Sequence, residues 1–374
     1  AGKPLPPELA DPFGGVILMR GEDSGWARER GLAYLVWNVA GRDALHLDAD
    51  ESWNARVERW IETRDPGLLV RTPCLNDPAV VASLFATLDT TLARHGDHPG
   101  LGLVLGDEVS LTPNGDPFDL CRCGVCEAKW TEYAREHGFP GRAPLTDEVL
   151  EQLRNGETEL VGPWLARRRF EQEYVQGLLL SLAEKARLGR KVELGLLGLK
   201  GRTAFGGVDL AALWQKFDVL EAYDVGEAMA LGETLRNRRW SGPLRARHTA
   251  HEASLTTLFL DGESPDGAAW LAWEAWLAGA DGLVLWSDRA LAGSPELRKR
   301  LGEALADIRT LCRRFETRAR GARRRLAVLS DGDATALAWL NDALDDGPSW
   351  PRRRAGYQET HGSRERRLRA WRED

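Results

Sequence analysis

Short apolar runs alternate with helical stretches along most of the chain, and this alternation constrains the fold more than any other feature. The runs are rich in Leu and Val and are bounded by Gly, Pro or Asp, as buried parallel strands are. Several helical stretches open with a capping residue or with Pro, as at Asp77–Pro78. Eight strands are predicted, at Gly15–Arg20, Ala33–Asn38, Gly67–Thr72, Leu101–Gly106, Val192–Leu197, Phe217–Tyr223, Pro243–Thr249 and Asp281–Trp286. The helices are predicted at Trp53–Thr63, Pro78–His95, Glu159–Leu188, Leu210–Gln215, Ala268–Ala278 and Pro295–Arg318.

Eight strands that alternate with helices predict a (β/α)8 TIM barrel over residues 1–320. A doubly wound open sheet is the alternative, but no Gly-x-Gly-x-x-Gly turn follows the first strand. Residues 321–349 predict the start of a second α/β unit, with a strand at Arg324–Ser330 and a helix at Asp333–Ala343. Residues 350–374 carry many Arg residues without apolar periodicity, which indicates a disordered basic tail.

Composition excludes several classes of protein. The chain has 374 residues, of which 43% are hydrophobic, and a net charge of −7, so it has enough apolar residues for a large core. The sequence contains no run of about 18 apolar residues, so it predicts no membrane-spanning helix. Its net negative charge does not indicate a surface that binds nucleic acid. We therefore expect a soluble protein, either cytoplasmic or exported, with neither a membrane nor a nucleic-acid partner.

In a barrel, residues that follow the strands line the active site, which turns the strand ends into a short set of candidates. Glu108 is the first of these, because the apolar run LGLVLG leads straight into Asp107 and Glu108. The alternative is a solvated acidic pair that opens a loop. Glu252, after the seventh predicted strand, is the first choice for a second carboxylate, and Glu221 is the second choice. Two carboxyl groups about 5–5.5 Å apart would catalyse retaining glycoside hydrolysis.

Further residues at the strand ends would contact a carbohydrate substrate. Trp286 ends the eighth predicted strand, where a flat ring can pack against a sugar, although a Trp there is as commonly a packing residue. The predicted substrate contacts are Arg20, Asn38, Asp107, Tyr223 and Trp286.

Three of the five cysteines form a C-x-C-x-x-C motif. Cys121, Cys123 and Cys126 would present their sulfurs to one tetrahedral Zn²⁺, and Cys74 could supply the fourth ligand. Four thiolate ligands leave no open position, so this zinc would be structural rather than catalytic. Reactive or unrelated thiols are the alternative, and Cys312 is expected to be a buried free thiol.

These motifs resemble the family 42 glycoside hydrolases, which are β-galactosidases with a TIM barrel. The resemblance lies in GLVLGDEVSL with CRCGVCEAKWTEYAREHG, in VLEAYD, and in GAAWLAWEAWLAGADGLVLWSDR. It implies that Glu108 is the acid/base, that Cys74, Cys121, Cys123 and Cys126 bind zinc, and that Trp286 lines the sugar site. It also implies β-galactosides or related β-glycosides as substrates, a trimerisation domain that begins near Arg324–Ser330, and a homotrimer.

The chain departs from the family's pattern at two places. Asp107 stands where the family has Asn, and a carboxylate there accepts but does not donate a hydrogen bond. The family's nucleophilic Glu follows the seventh strand, where the count from Pro243 reaches His248 instead. A catalytically silent carbohydrate-binding barrel or assembly module is therefore the second hypothesis, and a redox or catalytic metal site at the cysteines is the third.

Overall fold

The structure is a computed structural model, and it describes the chain in several stretches. These are residues 15–48, 50–95, 101–113, 117–190, 192–199, 204–209, 213, 216–222, 253–277, 280, 282–286, 288–315 and 332–346.

Seven parallel strands form one sheet, and their order in the sheet follows their order along the chain. A doubly wound sheet reverses its strand order at a switch point, so this sheet excludes that alternative. All the carboxyl ends lie at one edge. The strands are β1 (Gly15–Met19), β2 (Ala33–Trp37), β3 (Leu101–Asp107), β4 (Glu193–Leu199), β5 (Val219–Ala222), β6 (Ala253–Phe259) and β7 (Gly282–Trp286).

The sheet is strongly curled. Trp37 on β2 and Trp286 on β7 have ring centroids 5.3 Å apart, although they lie on strands five positions apart. In a flat sheet those strands would be about 24 Å apart. The α/β class and the TIM-like strand order are confirmed. The eight-stranded closed barrel is not, since the described residues contain seven strands in a sheet with β1 and β7 as its edges.

The prediction of a third strand at Gly67–Thr72 is wrong. β2 pairs directly with β3, from Tyr34 opposite Leu101 to Val36 opposite Leu103, so no strand lies between them. Residues 66–68 form a 3-10 turn. The backbone that follows bonds instead to the cysteine loop, where the Arg122 N–H donates to the Leu69 carbonyl at 2.7 Å. A short apolar run does not reveal which partner will satisfy its backbone groups.

The seventh predicted strand, Pro243–Thr249, lies outside the described residues. A strand that the sequence analysis missed, β6, pairs with β5, with Leu255 opposite Glu221. Its sequence, ASLTTLF, alternates in polarity over its first four residues and contains two β-branched Thr residues, which is a signal that could have identified it.

Helices join the strands and pack on the sheet. The predicted helix at Pro78–His95 is confirmed to the residue, and five other predicted helices agree within three residues at each end. The helix predicted at Leu210–Gln215 lies, except for Leu213, outside the described residues. The described helices are α1 (Gly25–Glu29), α2 (Arg42–Leu45), α3 (Glu51–Thr63), α4 (Pro78–His95), α5 (Gly124–His137), α6 (Thr146–Arg154), α7 (Val161–Arg187), α8 (Pro265–Leu277), α9 (Asp288–Gly293), α10 (Pro295–Phe315) and α11 (Gly332–Asp346). None of these described helices has the length and apolar character needed to cross a membrane.

The last described helix packs into the main core. Trp339 of α11 stacks on Trp164 of α7 with ring centroids 6.4 Å apart, and Ala336 and Leu340 are buried in the same core. The domain boundary at residue 320 stays a prediction. The predicted strand at Arg324–Ser330 and the tail at residues 350–374 lie outside the described residues.

Candidate active-site cleft and cysteine centre

Three acidic side chains from neighbouring strands meet at Gly198 near the carboxyl end of β4. A Cβ atom at Gly198 would lie 2.4 Å from Asp107 Oδ1 and 2.7 Å from Glu108 Cγ. The Gly198 N–H donates to Glu221 Oε2 at 2.5 Å. Only glycine leaves room for this approach, and its φ of +65° also favours glycine. The structure therefore brings Asp107, Glu108 and Glu221 together.

Glu108 has an unusual backbone conformation for its residue type. Its φ is +50°, in the left-handed region that a side chain with a Cβ rarely adopts. Its N–H donates to the Leu197 carbonyl of β4 at 3.0 Å, which holds the strained residue in place. The side chain is 23% exposed. Strained residues of this kind concentrate at functional sites.

Asn38 stabilises the backbone at Asp107, beside Glu108. Its Oδ1 accepts a 3.0 Å hydrogen bond from the Asp107 N–H, and the Asn38 side chain is buried. Its φ is +55°, which Asn tolerates better than most residues. Asn38 Oδ1 therefore holds β3 at the point where the acidic pair begins, and the predicted contact of Asn38 with substrate stays a prediction.

Glu221 is buried between β4 and β6, with 1% of its surface exposed. Burial raises the pKa of Glu221 to about 7, and the negative charge of Asp107 adds to the rise. Hydrogen bonds from Gly198 and Thr257 oppose it. Such a carboxyl group keeps its proton below about pH 7 and is a carboxylate only above it.

Exposed aromatic side chains stand at the same edge of the sheet. The Trp286 side chain is 44% exposed and meets Trp37 edge to face, and Phe259 at the end of β6 is also exposed. Arg20 follows β1 and is exposed, and its carbonyl lies 3.2 Å from His95 Nε2. Trp37, Phe259 and Trp286 form an apolar rim that can pack against a ligand.

Two predicted site residues, Tyr223 and Glu252, lie outside the described residues. In the sequence Glu252 directly precedes β6, whose carboxyl end is at Phe259. The role predicted for Glu252 assumed a strand before it, and it stays a prediction.

The four predicted metal ligands lie together. The sulfurs of Cys74, Cys121, Cys123 and Cys126 are all within 4.8 Å of one another, and Cys74 Sγ lies 3.5 Å from those of Cys123 and Cys126. Four sulfurs about 2.3 Å from a tetrahedral metal would be about 3.8 Å apart. The cluster is thus close enough to hold a metal ion.

The close sulfurs also affect one another's protonation. Hydrogen bonds from the Cys121 and Cys126 thiols lower the pKa of Cys74 to about 2, whereas the bond with Cys121 raises the pKa of Cys126. Four thiolates at this spacing repel one another unless a cation lies between them. Asn76 adds outer contacts, since its backbone N–H donates to Cys74 Sγ and its Nδ2 to Cys126 Sγ, each at 3.4 Å.

Arg71 connects the cysteines with the cleft, and the sequence analysis did not include it among the site residues. Its N–H donates to Cys121 Sγ at 3.3 Å. Its buried guanidinium donates to the carbonyl oxygens of Leu45, Ser110 and Leu111, which flank the acidic cleft, and to that of Pro73. Burial lowers the pKa of Arg71 to about 10, and the nearby thiols oppose that shift.

Comparisons with known proteins give little beyond this geometry. No protein-family model matches the chain, and no curated protein sequence matches it. Among solved structures, the chain is similar to an apo exo-carrageenase GH42 from Bacteroides ovatus, with a TM-score of 0.47 and 11% identity. The match covers 94% of this chain and 52% of that one, so the chain spans about half of that protein's length. A likeness at this level carries no argument about activity.

Proposed function

We propose that the chain is a retaining glycoside hydrolase that acts on β-galactosides or related β-glycosides. The observation that carries the proposal is the meeting of Asp107, Glu108 and Glu221 around Gly198, at the edge of a parallel sheet where active sites form. A strained and partly exposed Glu108 beside a buried Glu221 of raised pKa supplies two carboxyl groups in different environments. Two carboxyl groups at one site are what glycoside hydrolysis needs.

In this proposal Glu108 protonates the leaving oxygen and later removes a proton from the attacking water. A second Glu attacks the anomeric carbon and forms the glycosyl–enzyme intermediate. Glu221 is the candidate within the described residues, and Glu252 is the candidate from the sequence. The two differ in a measurable way, because Glu221 becomes a nucleophilic carboxylate only as the pH rises through about 7.

The rim would bind the sugar. Trp286, held edge to face by Trp37, offers a flat surface to the C–H groups of a pyranose ring. The polar contacts proposed to the sugar are Arg20, Asn38, Asp107 and Tyr223. The proposed oligomer is a homotrimer.

The proposed metal is a structural Zn²⁺ held by Cys74, Cys121, Cys123 and Cys126. Zinc bound by four thiolates would brace the cysteine loop against Arg71 and would leave no position for substrate. Metal analysis should find one zinc per chain, and mild chelation should leave activity intact. An open, exchangeable metal needed for turnover would contradict this role.

Aryl glycosides with good and poor leaving groups test the catalytic roles. Glu108→Gln should lose at least about a hundredfold in kcat on poor leaving groups and much less on good ones, because only poor ones need protonation. Changing the nucleophile, by Glu221→Gln or Glu252→Gln, should abolish turnover of both. Glu193→Gln, at the opposite end of β4, is the matched control and should keep activity. Full activity of Glu108→Gln on poor leaving groups would refute the assignment.

A catalytically silent carbohydrate-binding protein is the second candidate function. The burial of Glu221 favours it, because a group 1% exposed does not meet a substrate in this conformation. A titration in which Trp286→Ala weakens sugar binding, with no glycoside in the panel hydrolysed, would support this second candidate.

A further inference from the structure

His46 lies between two carboxyl groups at the edge of the acidic cleft. Its Nδ1 is 3.2 Å from Glu108 Oε2, and its Nε2 is 2.6 Å from Asp48 Oδ1. The ring is buried, whereas Asp48 is mostly exposed. His46 follows α2 and takes no part in the roles assigned above.

Asp48 is itself held in place. Arg42 Nη2 donates to Asp48 Oδ1 at 3.0 Å, so the same oxygen meets a guanidinium and the imidazole. The short Asp48 contact places the proton of a neutral His46 ring on Nε2. Nδ1 then carries no proton, and it lies 3.2 Å from Glu108 Oε2 without the alignment of a hydrogen bond.

An unprotonated Nδ1 and a carboxylate oxygen are both electron-rich, so they repel each other at 3.2 Å. A proton on either group would make the contact attractive, as an imidazolium beside a carboxylate or as a carboxyl group beside a neutral ring. Among the described residues, the other charged groups close to this pair are Arg42, Asp48, Arg71 and, around Gly198, Asp107 and Glu221.

We propose that His46 is a positioning residue that keeps the catalytic proton on the Glu108 side of the cleft and orients that carboxyl group. The inference rests on the proposed glycoside hydrolysis. During turnover the proton would pass from the Glu108–His46 pair to the leaving oxygen, and the attacking water would return one proton to Glu108. His46 therefore gains and loses no net proton over the cycle.

Kinetics on paired substrates distinguish this role from simple support of the fold. His46→Gln should lower kcat about tenfold to a hundredfold on glycosides with poor leaving groups and less than about threefold on good ones, and it should move the basic limb of the pH profile. Asp48→Asn, at an exposed site, should show a smaller effect of the same kind. His137→Gln, on the exposed face of α5, is the control and should change neither. An equal loss on both substrates with an unchanged pH profile would overturn the inference.

A spectroscopic measurement separates failure of this inference from failure of the proposed function. In the ¹⁵N-labelled full chain, His46 should show the Nε2–H tautomer, and Glu108→Gln should shift its ring signals while those of His137 stay in place. If the wild type hydrolyses no glycoside but this response is present, the proposed function fails and the pairing stands. If His46 does not respond to Glu108→Gln, the inference fails whatever the activity.

Discussion

The cysteine centre and the acidic cleft are joined through Arg71 and are built on opposite principles. The centre gathers four sulfurs, three of them from six consecutive residues, into an arrangement that a cation would complete. The cleft gathers carboxyl groups from the end of β3 and from β5, and burial and the charge of Asp107 work against the ionisation of Glu221. The first arrangement gains stability from a ligand, and the second holds strain and charge, as functional sites do.

The largest expected effect lies at the cysteine centre. Cys126→Ser should abolish tight metal binding and lower the free energy of unfolding by several kcal/mol, since metal binding to a folded site stabilises the fold. Denaturant unfolding with metal analysis measures both. Cys312→Ser, outside the cluster, should keep the metal content and most of the stability. A Cys126→Ser protein as stable as the wild type would mean that the four cysteines do not form a structural site.

The cleft should be most sensitive at Gly198. Gly198→Ala should cost about 4 kcal/mol, because it adds a left-handed Cβ and a clash with Asp107 and Glu108. Gly138→Ala is the matched control, since Gly138 has a φ of +73° but nothing within 4 Å of an added Cβ, and it should cost only about 1 kcal/mol. Equal costs in urea unfolding would show that the close approach of the carboxyls is not needed.

Glu221 predicts how stability depends on pH. Its folded pKa of about 7 lies above the ordinary 4.5, so folding favours the protonated form. The resulting contribution of Glu221 to the free energy of unfolding is complete below about pH 4.5 and is lost as the pH rises through about 7. The change is on the order of 3 kcal/mol. Glu221→Gln should remove this component from the difference between the two stability curves. Parallel curves for wild type and variant would contradict the raised pKa.

The smallest effect concerns the backbone of Glu108. Glu108→Gly and Glu108→Ala both remove the carboxyl group, but only glycine relieves a φ of +50°. The glycine variant should be more stable than the alanine variant by about 1 kcal/mol, and neither should act on glycosides with poor leaving groups. If alanine were the more stable of the two in thermal unfolding, Glu108 would not be strained.

The sequence anticipated the features that depend on local pattern. Helical spacing after Asp77 located α4 to the residue, and the motif from Cys121 to Cys126 identified three of the four clustered sulfurs. The strand predicted at Gly67–Thr72 is wrong, because the apolar character of this run suits a strand but its backbone forms hydrogen bonds with the cysteine loop. Arg71, His46 and Gly198 carry no local signal, since each matters through atoms that are distant in sequence.

By itself, then, the sequence determined the class of fold, the position of most of its described helices and the donor set of the cysteine centre. These follow from periodicity and from residue chemistry, which act over a few residues. Only the tertiary structure decided that β2 pairs with β3, that Glu221 is buried against Gly198, and that His46 faces Glu108. Those results depend on which strands share backbone hydrogen bonds and on which side chains lose water together, and both are properties of the whole fold.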